Sequence, residues 1–222
     1  VIHHALCNII EPLFENGFIY DSYANRRGRG TIKAVERFEY FKRKVTQNLT
    51  TPAFVLKADV QHYFEEVDHA ILLKILQKKI NDRRVLWLIE KILGNYSTRV
   101  GKGMPLGNLT SQLFVNIYIN EFDQFIKHKL KIKYYIRYAD DFVILSQDKA
   151  WLREVLPKIG DFLSEELKLN LHPDKIFIKT IYSGIDFLGW VNFPDHRILR
   201  TATKKRMLKK LKFKQKSDPL AS

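Results

Sequence analysis

The sequence predicts an α+β fold of the split βαβ type, in which an antiparallel sheet packs against helices. The chain has 222 residues, of which 45% are hydrophobic, and this is enough for one large domain or for two small subdomains that share a core. Strand-like apolar runs at 53–56, 134–136 and 142–145 are separated by segments with helical periodicity. Further apolar runs at 176–181 and 186–192 complete the predicted sheet.

The helices are predicted from apolar residues that recur at helical spacing, with a basic loop at 21–31 between the first two. For the third helix, Asp68 is a suitable N-cap before a periodic apolar stripe. A loop punctuated by glycine and proline at 103–112 leads into the fifth helix. The predicted helices cover residues 1–14, 32–47, 68–79, 83–93, 113–130 and 151–167.

Three carboxylates follow the predicted strands. Asp140 and Asp141 lie between two strand-like runs, which predicts a hairpin tip, and Asp59 follows the strand at 53–56. Adjacent acids repel each other by roughly 1 to 4 kcal/mol, so a cation such as Mg²⁺ is expected to neutralise them. A solvated turn would explain the Asp-Asp pair alone, but the third acid favours a two-metal site.

Several motifs then follow one another in a recognisable order. The basic loop comes first, and after it come Asp59 with Phe64, Pro105-Leu106-Gly107, Tyr138-Ala139-Asp140-Asp141, the segment 169–175, and Phe187-Leu188-Gly189-Trp190. This order resembles the fingers and palm of the reverse transcriptases of bacterial retroelements, and the resemblance covers nearly the whole chain. The tetrapeptide alone would be weak evidence, whereas six motifs at compatible spacings are specific.

The loop at 103–112 resembles that of one group within the reverse transcriptases. Most reverse transcriptases have Gln where this chain has Leu106, and many retroelement enzymes end the loop with Ser-Pro, where this chain has Ser111 and Gln112. The combination is most similar to reverse transcriptases of diversity-generating retroelements, which copy a template RNA with selective error at adenines. Group II intron-like, retron-like and phage-defence relatives share the other motifs and stay open as alternatives.

The resemblance implies a role for each motif. Two Mg²⁺ ions, for which Mn²⁺ can substitute, would be held by Asp59, Val60 through its carbonyl, Asp140 and, less directly, Asp141. Lys175 would protonate or neutralise the leaving pyrophosphate. The nucleotide-binding residues would be Arg26, Arg29, Phe64, Leu106, Gly107 and Gln112, with Phe64 excluding a 2′-hydroxyl. The primer grip would be Phe187, Leu188, Gly189 and Trp190.

The net charge of +14 predicts a polyanionic partner. The resemblance implies template RNA, a primer and deoxynucleoside triphosphates, together with a small basic accessory protein. A membrane surface is the rival explanation of the charge, but no apolar stretch approaches the length of a spanning helix and no signal peptide precedes the first element. We therefore expect a cytoplasmic protein encoded by a bacterium or a phage.

Cysteine and histidine offer little chemistry in this chain. Cys7 is the single cysteine, which excludes an internal disulfide and a cysteine metal cluster, and its apolar neighbours predict a buried, inert thiol. His3 and His4 have no second set of ligands nearby, so a surface or packing role is expected for them.

By resemblance, the chain divides into partial fingers over 1–52, a palm over 53–200 with inserted fingers helices at about 68–100, and the start of a thumb or a basic tail over 201–222. The family's usual N-terminal strand region would precede Val1, and most of the thumb would follow Ser222. Three alternatives are open: an RNA-dependent RNA polymerase, a palm-type cyclase, and a non-catalytic nucleic-acid-binding fragment that is inactive by itself. Phe64 argues against ribonucleotide substrates.

Overall fold

The computed structural model describes residues 1–95, 99–105 and 107–217, with side chains described as far as residue 211. Its helices are α1 (Ile2–Glu15), α2 (Thr31–Val45), α3 (Tyr63–Glu66), α4 (His69–Gln77), α5 (Arg83–Gly94), α6 (Leu109–Gln124), α7 (Lys149–Glu166) and α8 (Thr201–Ser217). Its strands are β1 (Phe54–Asp59), β2 (Tyr135–Tyr138), β3 (Asp141–Ser146), β4 (Phe177–Thr180), β5 (Ile185–Phe187), β6 (Trp190–Asn192) and β7 (Arg197–Leu199).

The central sheet is antiparallel and has the strand order β2-β3-β1-β4. Strands β2 and β3 form a hairpin, and β1 lies between β3 and β4 although it comes first in the chain. The predicted α+β class, with an antiparallel sheet and packed helices, is confirmed. The register places Asp59 at the end of β1 directly opposite Asp141 at the start of β3.

Alternation along the strands divides the buried core between the two faces of the central sheet. Tyr135, Phe142 and Ile144 face a cluster that contains the buried residues of α1, α4, α5, α6 and α7. Ile136 and Val143 face a second cluster, which α2 and β5 share. Successive strand residues point to opposite faces of a sheet, which explains the division. We call the side of the first cluster the α6 face and the side of the second cluster the α2 face.

Strands β5, β6 and β7 form a separate three-stranded sheet. The single strand predicted over 186–192 as part of the central sheet is therefore wrong. The chain reverses at Leu188 (φ 52°) and Gly189 (φ 84°), which fits a two-residue hairpin with positive φ at both positions. The apolar run alone did not reveal this turn. The ammonium of the buried Lys42 on α2 donates to the Phe193 carbonyl at 2.6 Å and so ties this sheet to the rest of the fold.

The largest difference in helix bounds concerns α6, which begins four residues before the predicted start at 113. Its first turn carries Thr110 and Ser111, which are polar yet buried, so the apolar pattern starts later than the helix does. A π-helical turn, Phe125–Lys129, extends it close to the predicted end. The short helix α3 and the short strand β7 were not predicted, because neither is long enough to show a period.

The basic segment after residue 200 forms helix α8, which carries exposed Met207, Leu208 and Leu211 among its lysines. Among the described residues, every helix is too short or too polar to cross a bilayer.

Candidate active site

The predicted acids come together at one end of the central sheet. Asp59 and Asp141 form the last cross-strand pair between β1 and β3, and residues that are directly opposite have Cβ atoms about 5 Å apart. Both lie on the α2 face by strand alternation, as does Tyr138, whose hydroxyl accepts from Thr31 Oγ1 at 3.1 Å. Asp140 occupies the turn between β2 and β3. The site therefore lies where α2 begins and the sheet ends.

The turn that presents Asp140 is strained and held from two sides. Ala139 has φ 54°, a left-handed conformation that is uncommon for residues other than glycine. Arg137 Nη1 donates to the Ala139 carbonyl at 3.0 Å. The Val60 amide donates to the Asp140 carbonyl, also at 3.0 Å, and so joins the end of β1 to the turn. A strained turn persists where its surroundings over-determine it, and that is the arrangement found here.

Two lysines partly neutralise the acids. Lys57 Nζ lies 3.1 Å from Asp141 Oδ2, and Lys175 Nζ lies 3.0 Å from Asp59 Oδ1. Burial raises the pKa of Asp140, and the neighbouring charge of Asp59 raises it further. Burial also raises the pKa of Asp141 to about 6, although Lys57 opposes the shift. The site carries more buried negative charge than its two lysines compensate.

These residues fit a divalent cation. Asp141 Oδ1 is buried and has no hydrogen-bond partner, which leaves a carboxylate oxygen that a metal ligand role would satisfy. Carboxylates and backbone carbonyls are the ligands that Mg²⁺ prefers. Within the described residues, no three carboxylate, imidazole or thiol side chains converge closely enough to enclose an ion by themselves. Mg²⁺ is often bound by one or two carboxylates together with water and phosphate oxygens.

On the α6 face, behind the turn at Ala139 and Asp140, lies a buried ion pair. Arg137 Nε and Nη2 donate to the two oxygens of Asp123 on α6 at 2.8 and 2.7 Å, and both side chains are almost fully buried. Tyr135 also donates to Asp123, at 2.7 Å, and Arg137 Nη2 donates to Ser22 Oγ at 2.8 Å. Burial opposes the charge of Arg137, but Asp123 raises the pKa of the guanidinium above its ordinary value. The pair thus connects α6, the basic loop and the turn.

The sequence did not identify this pair. Arg137 immediately precedes Tyr138-Ala139-Asp140-Asp141, a position from which its side chain could pair with an acid or contact a nucleic-acid backbone, and the structure shows the acid. The signal that could have identified Asp123 is an acidic residue inside an apolar helix stretch, combined with an arginine inside an apolar strand, because buried charges are usually paired.

The basic loop is ordered chiefly by its own arginines. Arg26 donates to the carboxylate of Glu15 at 2.6 Å and to the carbonyls of Ile19 and Ser22 at 2.8 and 2.9 Å, and only 4% of its side chain is exposed. The structure therefore gives Arg26 a structural role in the loop, and its expected nucleotide contact stays a prediction. The guanidinium of Arg29 lies 4.1 Å from the centre of the Tyr20 ring. Nucleotide binding by Arg29 likewise stays a prediction.

The predicted sugar-selecting residue, Phe64, lies five residues after Asp59 in the chain. Phe64 is half-buried on α3, and its ring meets the Tyr63 ring edge-on at 5.6 Å between centroids. Tyr63 is the core aromatic of the two, with 3% of its surface exposed, and its hydroxyl donates to the Val115 carbonyl. The carbonyl of Phe64 accepts from the Met104 amide at 2.8 Å. This bond holds α3 against the loop that precedes α6.

The structure describes only two of the three loop residues that are expected to contact the nucleotide. Leu106 lies outside the described residues. Gly107 is exposed with φ 91°, and space for a side chain is open there. Gln112 lies in the first turn of α6 and lines a pocket with His4, Arg27 and Leu109. The geometry places Gln112 near the basic loop and α1.

The predicted primer-grip residues form the tip of the β5–β6 hairpin. Phe187 is fully buried and packs against Phe38 at 5.6 Å between ring centroids, so its role is in the core. The Gly189 carbonyl accepts from the Arg200 amide at 2.9 Å, and a Cβ at Gly189 would lie 3.1 Å from Thr203 Oγ1 on α8. Leu188, Gly189 and Trp190 are all partly exposed. The hairpin tip thus packs against the start of α8.

The remaining predictions concern α1. Cys7 is buried as predicted, and burial raises the pKa of its thiol to about 11, which disfavours the reactive thiolate. His3 Nδ1 lies 2.8 Å from Thr110 Oγ1 and so joins α1 to the first turn of α6. This is the packing role expected for it.

Comparison with known proteins adds relatives by sequence. The family model described as "Reverse transcriptase (RNA-dependent DNA polymerase)" matches residues 1–191. "Protein YkfC" of Escherichia coli (strain K12) is 28% identical over 239 residues, which cover 90% of this chain and 60% of that protein. "Group II intron-encoded protein LtrA" of Lactococcus lactis subsp. cremoris is 24% identical over 277 residues, which cover 93% and 44%. The chain therefore spans 60% and 44% of the length of these two relatives.

Solved structures support the fold. Apo telomerase from Candida tropicalis superposes with a TM-score of 0.66 and 12% identity, covering 86% of this chain and 39% of that one. Telomerase from Candida albicans, in complex with a TWJ fragment of telomeric RNA, gives a TM-score of 0.59 at 14% identity, covering 87% and 37%. These likenesses concern the fold alone, whereas the family model matches most of the sequence. The chain belongs to the reverse transcriptase (RNA-dependent DNA polymerase) family.

Proposed function

We propose that this chain is the catalytic part of an enzyme that synthesises DNA on an RNA template. The observation that carries the proposal is the placement of Asp59 opposite Asp141 on neighbouring strands, with Asp140 in the adjoining turn. Family membership and the buried, unpartnered Asp141 Oδ1 support it. The division into partial fingers over 1–52, palm over 53–200 and the start of a thumb from 201 belongs to the same proposal.

In the proposed reaction, the primer 3′-oxygen attacks the α-phosphorus of a deoxynucleoside triphosphate, and the bond to pyrophosphate breaks. Two Mg²⁺ ions held by Asp59, Asp140, Asp141 and the Val60 carbonyl would supply Lewis-acid activation of the hydroxyl and neutralisation of the phosphates. The chain's own contribution is to fix the carboxylates through the β1–β3 register and the turn. The 3′-hydroxyl loses its proton, and the pyrophosphate gains one.

Lys175 is the proposed donor of that proton. Its ammonium is 3.0 Å from Asp59 Oδ1, about half of its side chain is exposed, and the hydrogen bond to Asp59 raises its pKa. An exposed ammonium beside the site can meet a leaving pyrophosphate without disturbing the fold. The same charge would neutralise the pyrophosphate as it departs.

The experiment that tests the proposal is primer extension on a heteropolymeric RNA template with Mg²⁺ and all four deoxynucleotides. Asp140→Asn should abolish product, whereas Asp174→Asn, a change of the same kind at an exposed acid beside Lys175, should leave it within about twofold. Binding of RNA without extension by the wild-type protein would contradict the proposal and favour a binding module.

Phe64 is the proposed selector of deoxyribose. Its half-buried ring on α3 directly follows the segment that carries Asp59, which supports a position beneath the sugar. Phe64→Ala should admit ribonucleotides, while Tyr63→Phe, which removes only the core hydroxyl, should leave the selection intact. Unchanged rejection of ribonucleotides by Phe64→Ala would contradict the assignment.

We further propose a diversity-generating retroelement as the setting, on the basis of Leu106-Gly107 and Ser111-Gln112 in the loop before and at the start of α6. A small basic accessory protein would then be a partner beside template RNA and primer. A group II intron is the second candidate, favoured by the likeness to the intron-encoded protein of Lactococcus lactis. Sequencing of the extension products separates the two, because errors concentrated at template adenines support the first and accurate copies the second.

The hairpin tip Leu188-Gly189-Trp190 is the proposed primer grip, with α8 as the start of a thumb. The hydrogen bond from the Arg200 amide, directly before α8, to the Gly189 carbonyl at 2.9 Å joins the hairpin tip to the helix and supports this assignment. The basic face of α8 suits a duplex backbone.

A further inference from the structure

A second basic surface lies at the far end of the β2–β3 hairpin from the acids. An open pocket of about 450 Å³ is formed there by the end of α2, the loop before β2, the end of β3 and the start of α7. We call it the hairpin-base pocket. Its principal lining residues are Lys44, Gln47, Lys131, Lys133, Tyr134 and Trp151. Leu145, which also lines it, lies four residues along β3 from Asp141, or ~13 Å at the usual rise of a strand.

The pocket is positively charged. Lys44, Lys131 and Lys133 are exposed, and the ion pairs found in the described part of the chain involve none of the three. The single acid among the described lining residues is Asp148, and its carboxylate already accepts from the Trp151 amide at 3.0 Å as the N-cap of α7. The positive charge therefore lies at the opposite end of the β2–β3 hairpin from the acids.

The lysines are carried on a fixed backbone. Between Lys131 and Lys133, the side chain of Ile132 is buried, and its amide donates to the Ile126 carbonyl at 3.0 Å. Lys127 Nζ donates to the Lys133 carbonyl at 2.9 Å. This alternation turns Lys131 and Lys133 outward together. Lys131 has φ 54°, a strained conformation that the surroundings maintain.

The other wall of the pocket is equally fixed. Gln147 Nε2 donates to the Val45 carbonyl at 2.7 Å and to Thr51 Oγ1 at 3.0 Å, which joins α7's leading loop to the end of α2. Gln47 lines the pocket with φ 50°. Lys44 lies in the last turn of α2, where a cation is favoured by the helix dipole. The site is therefore preorganised and does not need to be ordered by its ligand.

Aromatic side chains accompany the charge. Tyr134 and Trp151 both line the pocket, and the Lys133 ammonium lies 5.4 Å from the centre of the Tyr134 ring. Lysines beside aromatic rings suit a nucleic acid, because ammonium groups contact phosphates and the rings stack on unpaired bases.

We infer that the hairpin-base pocket is a second RNA-binding surface, which holds the phosphate backbone of a folded RNA outside the polymerisation cleft. The choice of RNA as the polyanion rests on the proposed function, whereas the polyanion site itself rests on the lysines. Such a surface would keep a structured part of the template RNA attached to the enzyme while another part passes the acids.

The test compares two variants with the same change of charge. One carries Lys44→Gln, Lys131→Gln and Lys133→Gln, and the matched control carries three exposed lysines outside the pocket changed to Gln, at Lys74, Lys158 and Lys168. Binding of a fluorescent RNA hairpin is followed by anisotropy from 50 to 200 mM KCl, without primer or nucleotides. Each lost phosphate contact lowers the slope of log K against log salt by about 0.7 to 0.9.

The pocket variant should lower that slope by about 2 and weaken binding at least ~10-fold at the lowest salt, while the control should match the wild type. Equal slopes for the two variants would overturn the proposal. Tighter binding of poly-glutamate than of the hairpin at the three lysines would overturn it too, because the surface would then be a site for acidic proteins. Primer extension on a short, unstructured template should be unchanged in both variants, and its absence from the wild type would instead count against the proposed function.

Discussion

The two faces of the β2–β3 hairpin treat buried carboxylates in opposite ways. On the α6 face, Asp123 has both oxygens satisfied by Arg137 and receives a further bond from Tyr135. On the α2 face, Asp141 has one oxygen paired with Lys57 and one buried oxygen without a partner. The two arrangements lie on opposite sides of the same two strands.

This difference distinguishes a carboxylate that supports the fold from one that has an oxygen available for a cation. A buried charge whose hydrogen bonds are complete contributes to a defined fold, and removing one member of the pair leaves the other unpaired. A buried carboxylate whose bonds are incomplete is unfavourable by itself and marks a place where an external cation is expected. The saturated pair also holds the Ala139 carbonyl and thereby supports the unsaturated acids through the turn.

The largest expected effect is a loss of stability when Asp123, the fully hydrogen-bonded carboxylate on the α6 face, is changed. Asp123→Asn should lower the free energy of unfolding by about 3–5 kcal/mol, because Arg137 would keep a buried charge without its partner. The measurement is the denaturant midpoint and slope. As a control, Asp123→Asn combined with Arg137→Gln removes both charges and should recover part of the loss. A loss under 1 kcal/mol in the single variant would show that the pair does not support the fold.

The same change from Asp to Asn at Asp141, on the α2 face, should affect activity instead of stability. Asp141→Asn should reduce primer extension by about 100-fold or more, since it removes a carboxylate aimed at the reacting centre. Its free energy of unfolding should fall little or rise, because the buried negative charge is lost. Initial rates and denaturant unfolding measured on one preparation test both halves. If Asp141→Asn destabilised the protein as much as Asp123→Asn does, the contrast between the faces would fail.

Binding of a divalent metal should stabilise the protein through the acids on the α2 face and so distinguish the two faces further. Mg²⁺ at ten times its dissociation constant should stabilise the wild type by about 1.4 kcal/mol, because it binds the folded state at acids that repel one another. Thermal unfolding with and without Mg²⁺, against a chelator, measures the shift. Asp141→Asn should lose the shift, and Asp174→Asn should retain it. An equal shift in both variants would place the metal elsewhere.

The smallest effect concerns the turn that joins the faces. Ala139→Gly should raise the free energy of unfolding by about 0.5–1 kcal/mol, because glycine adopts the observed positive φ without steric cost. Ala70→Gly, at an exposed position inside α4, should have the opposite sign and similar size. Denaturant unfolding of the two variants checks both. A loss of stability in Ala139→Gly would mean that the turn is not strained.

Elements with strong local signals were predictable from the sequence. Asp68 accepts from the Ile71 amide at 3.1 Å and caps α4 as expected, and the hairpin with Asp140 at its tip formed as predicted. Elements whose signals are short or hidden were not. The hairpin at Leu188 and Gly189 lies inside an apolar run. The first turn of α6 carries the polar residues Thr110 and Ser111, so it lacks the apolar pattern that marks the rest of the helix although both residues are buried.

The sequence by itself determined the class of fold and the order of the candidate site residues along the chain. The three acids, their order along the chain and their positions at strand ends are local features, and periodicity decides helix or strand over a few residues. Only the tertiary structure decided which charged groups have all their hydrogen bonds made and which do not. Whether Arg137 meets Asp123, whether Arg26 is held by Glu15, and whether three lysines share a pocket all depend on contacts between residues far apart in the chain. Hydrogen bonds and burial at a charged group are properties of the packed core, and no local pattern encodes them.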